Sequence, residues 1–326
     1  MTANRAGDGR RVVTERGRTL IRASLLVLVT VLLSPMSPVW LVFIPFALML
    51  LAFRTDDWMS VAVAAVILGV GFAGGRPGGM EWYVPRAWSL IAGGAFVAVS
   101  VARNRETLVN RSLWAIGVAL AVVLVIGMAR PGVLQGVNWW MASEIRQAAL
   151  VAGSILEQLQ GSADPQVRRQ LEVAVQRWVV FQQDVYPAML SLATVAAFGV
   201  AWFGFERMSG GFRSPGPLRE FRFSDHLIWL LIGGLCMLVL PVGGPAFRVG
   251  ENATVFMGGL YLLRGTAILL WLGAAAATTV WSGVLLALAA LFLYPVVLGT
   301  ALVLGLSDTW IDLRERLSRA RADNDL

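Results

Sequence analysis

Apolar runs that suit a lipid bilayer recur along most of this chain. They cover residues 20–33, 39–53, 58–73, 86–102, 112–129, 186–205, 226–242, 251–272 and 283–305. About 20 apolar residues in a helix span the hydrocarbon core of a membrane, where each helix satisfies its own backbone hydrogen bonds. Because 57% of the residues are hydrophobic and only 14% are charged, the sequence predicts an all-α fold. We predict a polytopic transmembrane helical bundle of eight or nine spans in the cell (inner) membrane, and not a soluble enzyme.

The arginines indicate which side of the membrane each loop occupies. All 27 basic residues are Arg, and they cluster in residues 1–22, 103–111 and 207–222. Basic loops favour the cytoplasmic side. We therefore predict a retained cytoplasmic tail (1–22), a first group of membrane helices (20–129), an external segment (130–185), a second group of membrane helices (186–306) and a polar C-terminal tail (307–326).

The external segment carries two apolar stripes at helical spacing. The first runs from Met141 and Ile145 to Leu159, and the second follows Asp164 and Pro165, a typical cap and first residue of a helix. Apolar stripes beside polar faces predict an amphipathic helix pair. The pair either lies on the membrane surface or covers the outer mouth of the bundle.

The last apolar run leaves two alternatives for the topology. Nine crossings place Arg314, Arg316, Arg319 and Arg321 outside, against the charge bias of membrane proteins. Either the run 283–305 folds back around Tyr294 and Pro295, or the tail is external.

Several kinds of chemistry find no support in the sequence. The chain has no Lys, one Cys (Cys236) and one His (His226), so a Schiff base, a P-loop lysine and a Cys-rich metal site are excluded. No nucleophile and base stand in a catalytic pattern. We expect no enzyme activity, no cofactor, no metal and no nucleic-acid partner, and we interpret Asp225 beside His226 as an acid at a helix start without a chemical role.

One apolar run carries an arginine near its middle, and this is the candidate site. Within residues 251–272, a stripe on one helix face consists of Thr254, Gly258, Tyr261, Arg264 and Gly265. A charge inside a membrane costs about 3 kcal/mol on insertion scales, so Arg264 needs a partner. Among Asp308, Asp312 and Glu206, Asp308 is the preferred one. A ligand-binding and a structural role for Arg264 are equally supported, and the glycine pairs 93–94, 233–234 and 258–259 predict close helix packing.

The order and spacing of several short motifs resemble the YybS-like family of bacterial membrane proteins, whose members carry a domain of unknown function. The motifs are Pro45, Tyr186-Pro187, Phe221-Arg222-Phe223, Asn252 with Tyr261 to Gly265, and Leu304-Gly305-Leu306 with Asp308, Trp310, Asp312 and Arg314. That family is distantly similar to the substrate-binding membrane subunits of energy-coupling-factor transporters. The resemblance implies a helical bundle that takes part in transport.

The function that follows from these observations is the binding of a small molecule in a helical-bundle cavity. Its site would comprise Thr254, Gly258, Tyr261, Arg264, Gly265 and Asp308. The expected partners are the lipid bilayer, a small-molecule ligand, and partner membrane or ATPase subunits, because the chain has no nucleotide-binding motif of its own. The alternative is a non-transporting membrane scaffold that binds other proteins.

Overall fold

A computed structural model gives the fold and describes residues 27, 30, 37–74, 79–159, 165–209, 221–240, 243–276, 292–311 and 316. Every regular element within these ranges is helical. The described residues up to Ser209 form one compact unit, and those from Phe221 onward form a second. The whole tail (1–22), the predicted first run (20–33) apart from residues 27 and 30, and Asp312 with Arg314, Arg319 and Arg321 lie outside the described residues.

Six helices have both ends within the described part of the first unit. They are α1 (Pro38–Thr55), α2 (Trp58–Ala73), α3 (Met80–Ala102), α4 (Leu108–Ala129), α5 (Pro131–Leu159) and α6 (Pro165–Met208). Local sequence explains several starts: Pro38 occupies the first turn of α1, the Asp57 side chain accepts a hydrogen bond from the Ser60 N–H, and Thr107 does the same for Asn110. The first N–H groups of a helix have no acceptor within the helix. The Asp57 and Thr107 side chains supply such an acceptor, and Pro38 has no N–H group that needs one.

Helix α3 forms the centre of the first unit. It packs against α1, α2 and α4, and its face with Trp88, Ile91 and Phe96 is buried. Phe96 stacks on Phe198 of α6 with ring centroids 4.3 Å apart. A Cβ at Gly94 would lie 2.9 Å from the Ala62 carbonyl oxygen, so this glycine permits the close packing that the sequence predicted.

In the second unit, the described residues include a three-residue turn of 3-10 helix (Asp225–Leu227) and three α-helices with defined bounds. These are α7 (Ile228–Val239), α8 (Pro245–Ala276) and α9 (Tyr294–Ile311). Helix α8 packs against both α7 and α9. Since α8 has 32 residues and begins before the predicted run 251–272, Arg264 lies beyond its midpoint. Pro245 and Gly244, which has φ +63°, account for the earlier start, because they form a turn followed by a favoured first helical residue.

Six of the described helices are long and apolar enough to cross a membrane. These candidate spans are Pro38–Thr55, Met80–Ala102, Leu108–Ala129, Glu172–Met208, Pro245–Leu270 and Tyr294–Ile311. Trp58–Ala73 and Asp225–Val239 are shorter apolar helices. The membrane class is therefore confirmed, whereas the count of eight or nine spans stays a prediction, because residues 20–33 and 277–291 are mostly or wholly outside the described ranges.

One continuous helix joins the end of the predicted external segment to the sixth run. The sequence interpretation ended an amphipathic helix at Tyr186-Pro187 and began a separate span there, but α6 continues through Pro187 to Met208. Proline removes one backbone hydrogen bond without ending a helix that is held by packing on both sides. Here the Tyr186 hydroxyl donates to Asn138 of α5 over 2.5 Å, and the Ser191 hydroxyl donates to the Pro187 carbonyl. The external position of the pair stays a prediction.

The last predicted run does not form one helix from 283 to 305. Phe292 is helical, Leu293 is a turn residue, and α9 begins at Tyr294 with Pro295 in its first turn. Because proline is favoured in the first turn of a helix and disfavoured inside it, the break falls here. The fold-back and the external tail both stay predictions, because residues 277–291 lie outside the described residues.

Candidate functional site

Arg264 is fully buried in the second unit, and its guanidinium group contacts two carboxylates. Its Nε donates to Asp308 Oδ2 over 2.9 Å, its Nη2 donates to the Asp308 main-chain oxygen over 3.1 Å, and its Nη1 donates to Asp225 Oδ1 over 2.6 Å. Charge-assisted bonds of this length are among the stronger hydrogen bonds in proteins. We call Asp225, Arg264 and Asp308 the charged triad.

Asp308 reaches Arg264 because α8 and α9 pack unusually closely. A Cβ at Gly265 would overlap the Ala301 carbonyl, and a Cβ at Gly305 would overlap the Tyr261 carbonyl. Tyr261 of α8 meets Gly305 of α9, and Gly265, one turn later in α8, meets Ala301, one turn earlier in α9. The two helices are therefore antiparallel. Small residues at such a crossing let the backbones approach each other. Asp308, one turn beyond Gly305, is thereby placed at Arg264, and the predicted partnership of these two residues is confirmed.

Asp225 approaches the same guanidinium from the start of the α7 segment. Helix α7 packs on α8 at Gly234, where a Cβ would lie 2.9 Å from Thr254 Oγ1 and 3.0 Å from the Gly250 carbonyl oxygen. The Asp225 side chain is 54% exposed, whereas those of Arg264 and Asp308 are 0% and 1% exposed. The triad therefore extends from the buried part of the unit to its surface.

Aromatic side chains cover the charged triad. The Phe223 ring lies 5.4 Å from the Arg264 guanidinium carbon and packs edge-on against Tyr261, with ring centroids 5.2 Å apart. Phe223 is itself buried. An aromatic face near a guanidinium is favourable. The segment 221–225 therefore shields Arg264 in two ways, by the packing of Phe223 and by the ion pair with Asp225.

Three buried hydroxyl groups in this unit have no hydrogen-bond partner among the described residues. They belong to Tyr261 and Thr254 of α8 and to Thr309 of α9. The Thr309 hydroxyl lies beside that of Tyr261, but the two do not meet hydrogen-bond geometry. Tyr261 as a whole is completely buried. Since a buried unpaired polar group costs about 1–3 kcal/mol, these hydroxyls are the chemically unsatisfied part of the site.

The structure brings together four of the six residues predicted for the site. Tyr261, Arg264, Gly265 and Asp308 lie at the crossing of α8 and α9. Thr254 faces α7 through Gly234, and a Cβ at Gly258 would have no atom within 4 Å. The glycine pair 258–259 therefore shows no close packing at Gly258.

Sequence reasoning missed three residues of the site, namely Asp225, Phe223 and Thr309. Asp225 does lie at a helix start, as the sequence indicated, but its carboxylate also binds Arg264, a contact that the sequence interpretation did not assign to it. A usable signal was present: an unpaired intramembrane arginine needs anions, and Asp225 begins the adjacent apolar run. No group of three or more His, Cys, Asp or Glu residues in the described ranges could hold a metal ion.

Comparison with known proteins agrees with the membrane character of the chain. A family model described as "Predicted membrane protein (DUF2232)" matches residues 22–309. No curated protein and no solved structure matches the sequence.

Proposed function

This chain belongs to the DUF2232 family of predicted membrane proteins, and from its charged triad we propose that it binds a small molecule between the helices of its second unit. It would act as the binding component of a transport system in the cell inner membrane. The ligand would lie next to Tyr261, Arg264 and Asp308. Partner membrane or ATPase subunits would supply the energy, and the chain itself would not be an enzyme.

The buried hydroxyl of Tyr261 carries this proposal. It lies beside the charged triad, it is inaccessible to solvent, and it lacks a hydrogen-bond partner among the described residues. Binding sites in membrane proteins commonly combine intramembrane charges with a few unsatisfied polar groups. A bound molecule with one hydrogen-bonding group would satisfy Tyr261 and recover the cost of burying it.

The sequence resemblance supports the transport part of the proposal. The motif from Tyr261 to Gly265 and the segment from Leu304 to Asp308 carry the likeness to YybS-like proteins. These same segments form the crossing of α8 and α9. The distant similarity of that family to substrate-binding subunits of energy-coupling-factor transporters, which are small helical bundles, is our reason to propose a transport role.

Ligand-dependent thermal unfolding tests this proposal. Wild type, Tyr261→Phe and Tyr294→Phe would be purified in detergent and heated with a panel of small neutral, cationic and anionic compounds. Tyr294 is 62% exposed, so its substitution is the matched control. We expect at least one compound to raise the Tm of wild type and of Tyr294→Phe, with a smaller rise in Tyr261→Phe. Equal shifts in all three proteins would contradict the proposal.

A membrane scaffold is the second candidate, favoured by the completeness of the Arg264 contacts. Each guanidinium nitrogen of Arg264 already donates to a protein oxygen, as expected for a purely structural arginine. In the first unit, α5 and α6 also expose large apolar side chains, including Leu150, Val151 and Trp178. A scaffold would show no shift in Tm with any small molecule, so the same experiment separates the two functions.

A further inference from the structure

We propose, on the basis of the function proposed above, that the ligand carries a carboxylate which replaces the carboxylate of Asp225 on Arg264. Asp225 then acts as a resident anion that occupies the site until the ligand arrives.

The two aspartates of the triad are held in different ways. Asp308 is 1% exposed, belongs to α9 and contacts Arg264 through both a side-chain and a main-chain oxygen. Asp225 is 54% exposed, belongs to a three-residue 3-10 turn and contacts Arg264 through Oδ1 alone. The pair with Asp225 can therefore open at the surface of the unit while the pair with Asp308 stays intact.

Charge conservation favours a carboxylate as the incoming group. Exchange of one carboxylate for another leaves the charge around the buried guanidinium unchanged. A neutral group would leave Nη1 without its anionic partner, and loss of one member of a buried pair is strongly unfavourable. The planar guanidinium also matches the geometry of a carboxylate better than that of a spherical anion.

Tyr261 provides a second contact for the same carboxylate. Its hydroxyl has no partner among the described residues, and its ring packs against Phe223, whose ring lies 5.4 Å from the Arg264 guanidinium carbon. One ligand oxygen would accept from Arg264 Nη1 and the other from the Tyr261 hydroxyl. Asp225 satisfies only the first of these donors, so a ligand that satisfies both can compete with it.

Chemical rescue tests the exchange. In Asp225→Ala the resident carboxylate is removed, and added sodium acetate can occupy its place on Arg264. We expect acetate to raise the Tm of Asp225→Ala well above its value in sodium chloride at equal ionic strength, whereas neutral acetamide has no such effect. Asp57→Ala, which loses a helix cap but borders no buried arginine, is the matched control and should not respond to acetate.

A further variant assigns the second contact. Tyr261→Phe combined with Asp225→Ala should respond less to acetate than Asp225→Ala alone. If Asp225→Ala fails to fold, Asp225→Ser takes its place, because the smaller side chain also leaves room for acetate beside Arg264. An acetate response that is absent, or equal in Asp57→Ala, would overturn the proposal, and so would an equal response after loss of the Tyr261 hydroxyl.

Two sources could supply the carboxylate, a free molecule or a lipid headgroup. Wild type and Asp225→Ala in lipid nanodiscs of phosphatidylserine, which has a carboxylate, would be compared with those of phosphatidylglycerol, which has the same net charge without one. Selective stabilisation of Asp225→Ala by phosphatidylserine assigns the lipid, and a response to acetate alone assigns a free ligand. If a neutral or cationic compound stabilises wild type through Tyr261 and no carboxylate rescues Asp225→Ala, the carboxylate inference fails while the proposed function stands.

Discussion

Gly265 of α8 lies directly against the main-chain carbonyl of Ala301 in α9, with no room for even a methyl group between them. One turn further, Gly305 makes the equivalent contact with the Tyr261 carbonyl. These two contacts set the distance between the helices, and that distance allows the side chain of Asp308 to reach Arg264. The charged triad therefore depends on glycine at positions 265 and 305.

Substitution of Gly265 by alanine should separate α8 from α9. Its methyl group would overlap the Ala301 carbonyl, and overpacking of this kind costs about 1–3 kcal/mol. Gly299→Ala in α9 is the control, because a Cβ there has no atom within 4 Å and alanine favours a helix. Thermal unfolding in detergent should show a lower Tm for Gly265→Ala only. Equal values for both variants would contradict the close crossing.

Loss of the Arg264 charge should leave Asp308 as a buried anion without this partner. We expect Arg264→Leu to reduce the free energy of unfolding by about 3–5 kcal/mol, the usual cost of breaking a buried ion pair. Arg264→Gln keeps hydrogen-bond donors and should lose less. Adding Asp308→Asn to Arg264→Leu removes the stranded charge and should restore part of the loss. If the double variant is less stable than Arg264→Leu, the two side chains are not coupled in this way.

In the first unit, a buried hydrogen bond joins α3 to α6. Trp88 Nε1 donates to the Thr194 hydroxyl over 3.0 Å, and that hydroxyl donates to the Leu190 carbonyl. A double-mutant cycle of Trp88→Phe and Thr194→Val should give a coupling free energy of about 1 kcal/mol. Because Trp88→Phe also changes packing, only the coupling reports on the hydrogen bond. A coupling free energy of zero would contradict a stabilising hydrogen bond between Trp88 and Thr194.

The predicted outside location of α5 can be tested by cysteine labelling in a Cys236→Ser background. Ser154 is exposed on α5, and Asn104 is exposed in the loop before α4. The charge bias places the first residue outside and the second inside. Ser154→Cys should react with a membrane-impermeant thiol reagent on whole cells, and Asn104→Cys should react only after lysis. The opposite pattern would reverse the predicted topology.

The fold class could be predicted from the sequence because membrane helices follow from local composition. Residues 58–73 form a helix with the predicted limits, and α6 begins at the predicted residue, Pro165. The continuation of α6 through Pro187 could not be predicted, because contacts with α5 at Asn138 stabilise the helix there. Such contacts join residues that are far apart in the chain, so they cannot be predicted from the helix propensity of the residues near Pro187.

The site was only partly predictable for a related reason. The pairing of Arg264 with Asp308 followed from the scarcity of acids near the membrane spans. The second partner, Asp225, looked like an ordinary helix-start acid, a role that many aspartates have. Its contact with Arg264 depends on how α7 packs against α8 at Gly234, which the sequence does not specify. The lack of a hydrogen-bond partner for the Tyr261 hydroxyl likewise depends on how the helices pack around it, which the sequence does not specify.

Native mass spectrometry of the purified protein tests the central claim most directly. Wild type, Tyr261→Phe and Tyr294→Phe would be incubated with a fractionated small-molecule extract of the source cells and released intact from detergent micelles. We predict one bound small molecule, at one-to-one stoichiometry, on wild type and Tyr294→Phe, with much less of it on Tyr261→Phe. Wild type free of any adduct in every fraction, or an adduct equally abundant on Tyr261→Phe, would contradict ligand binding at this site.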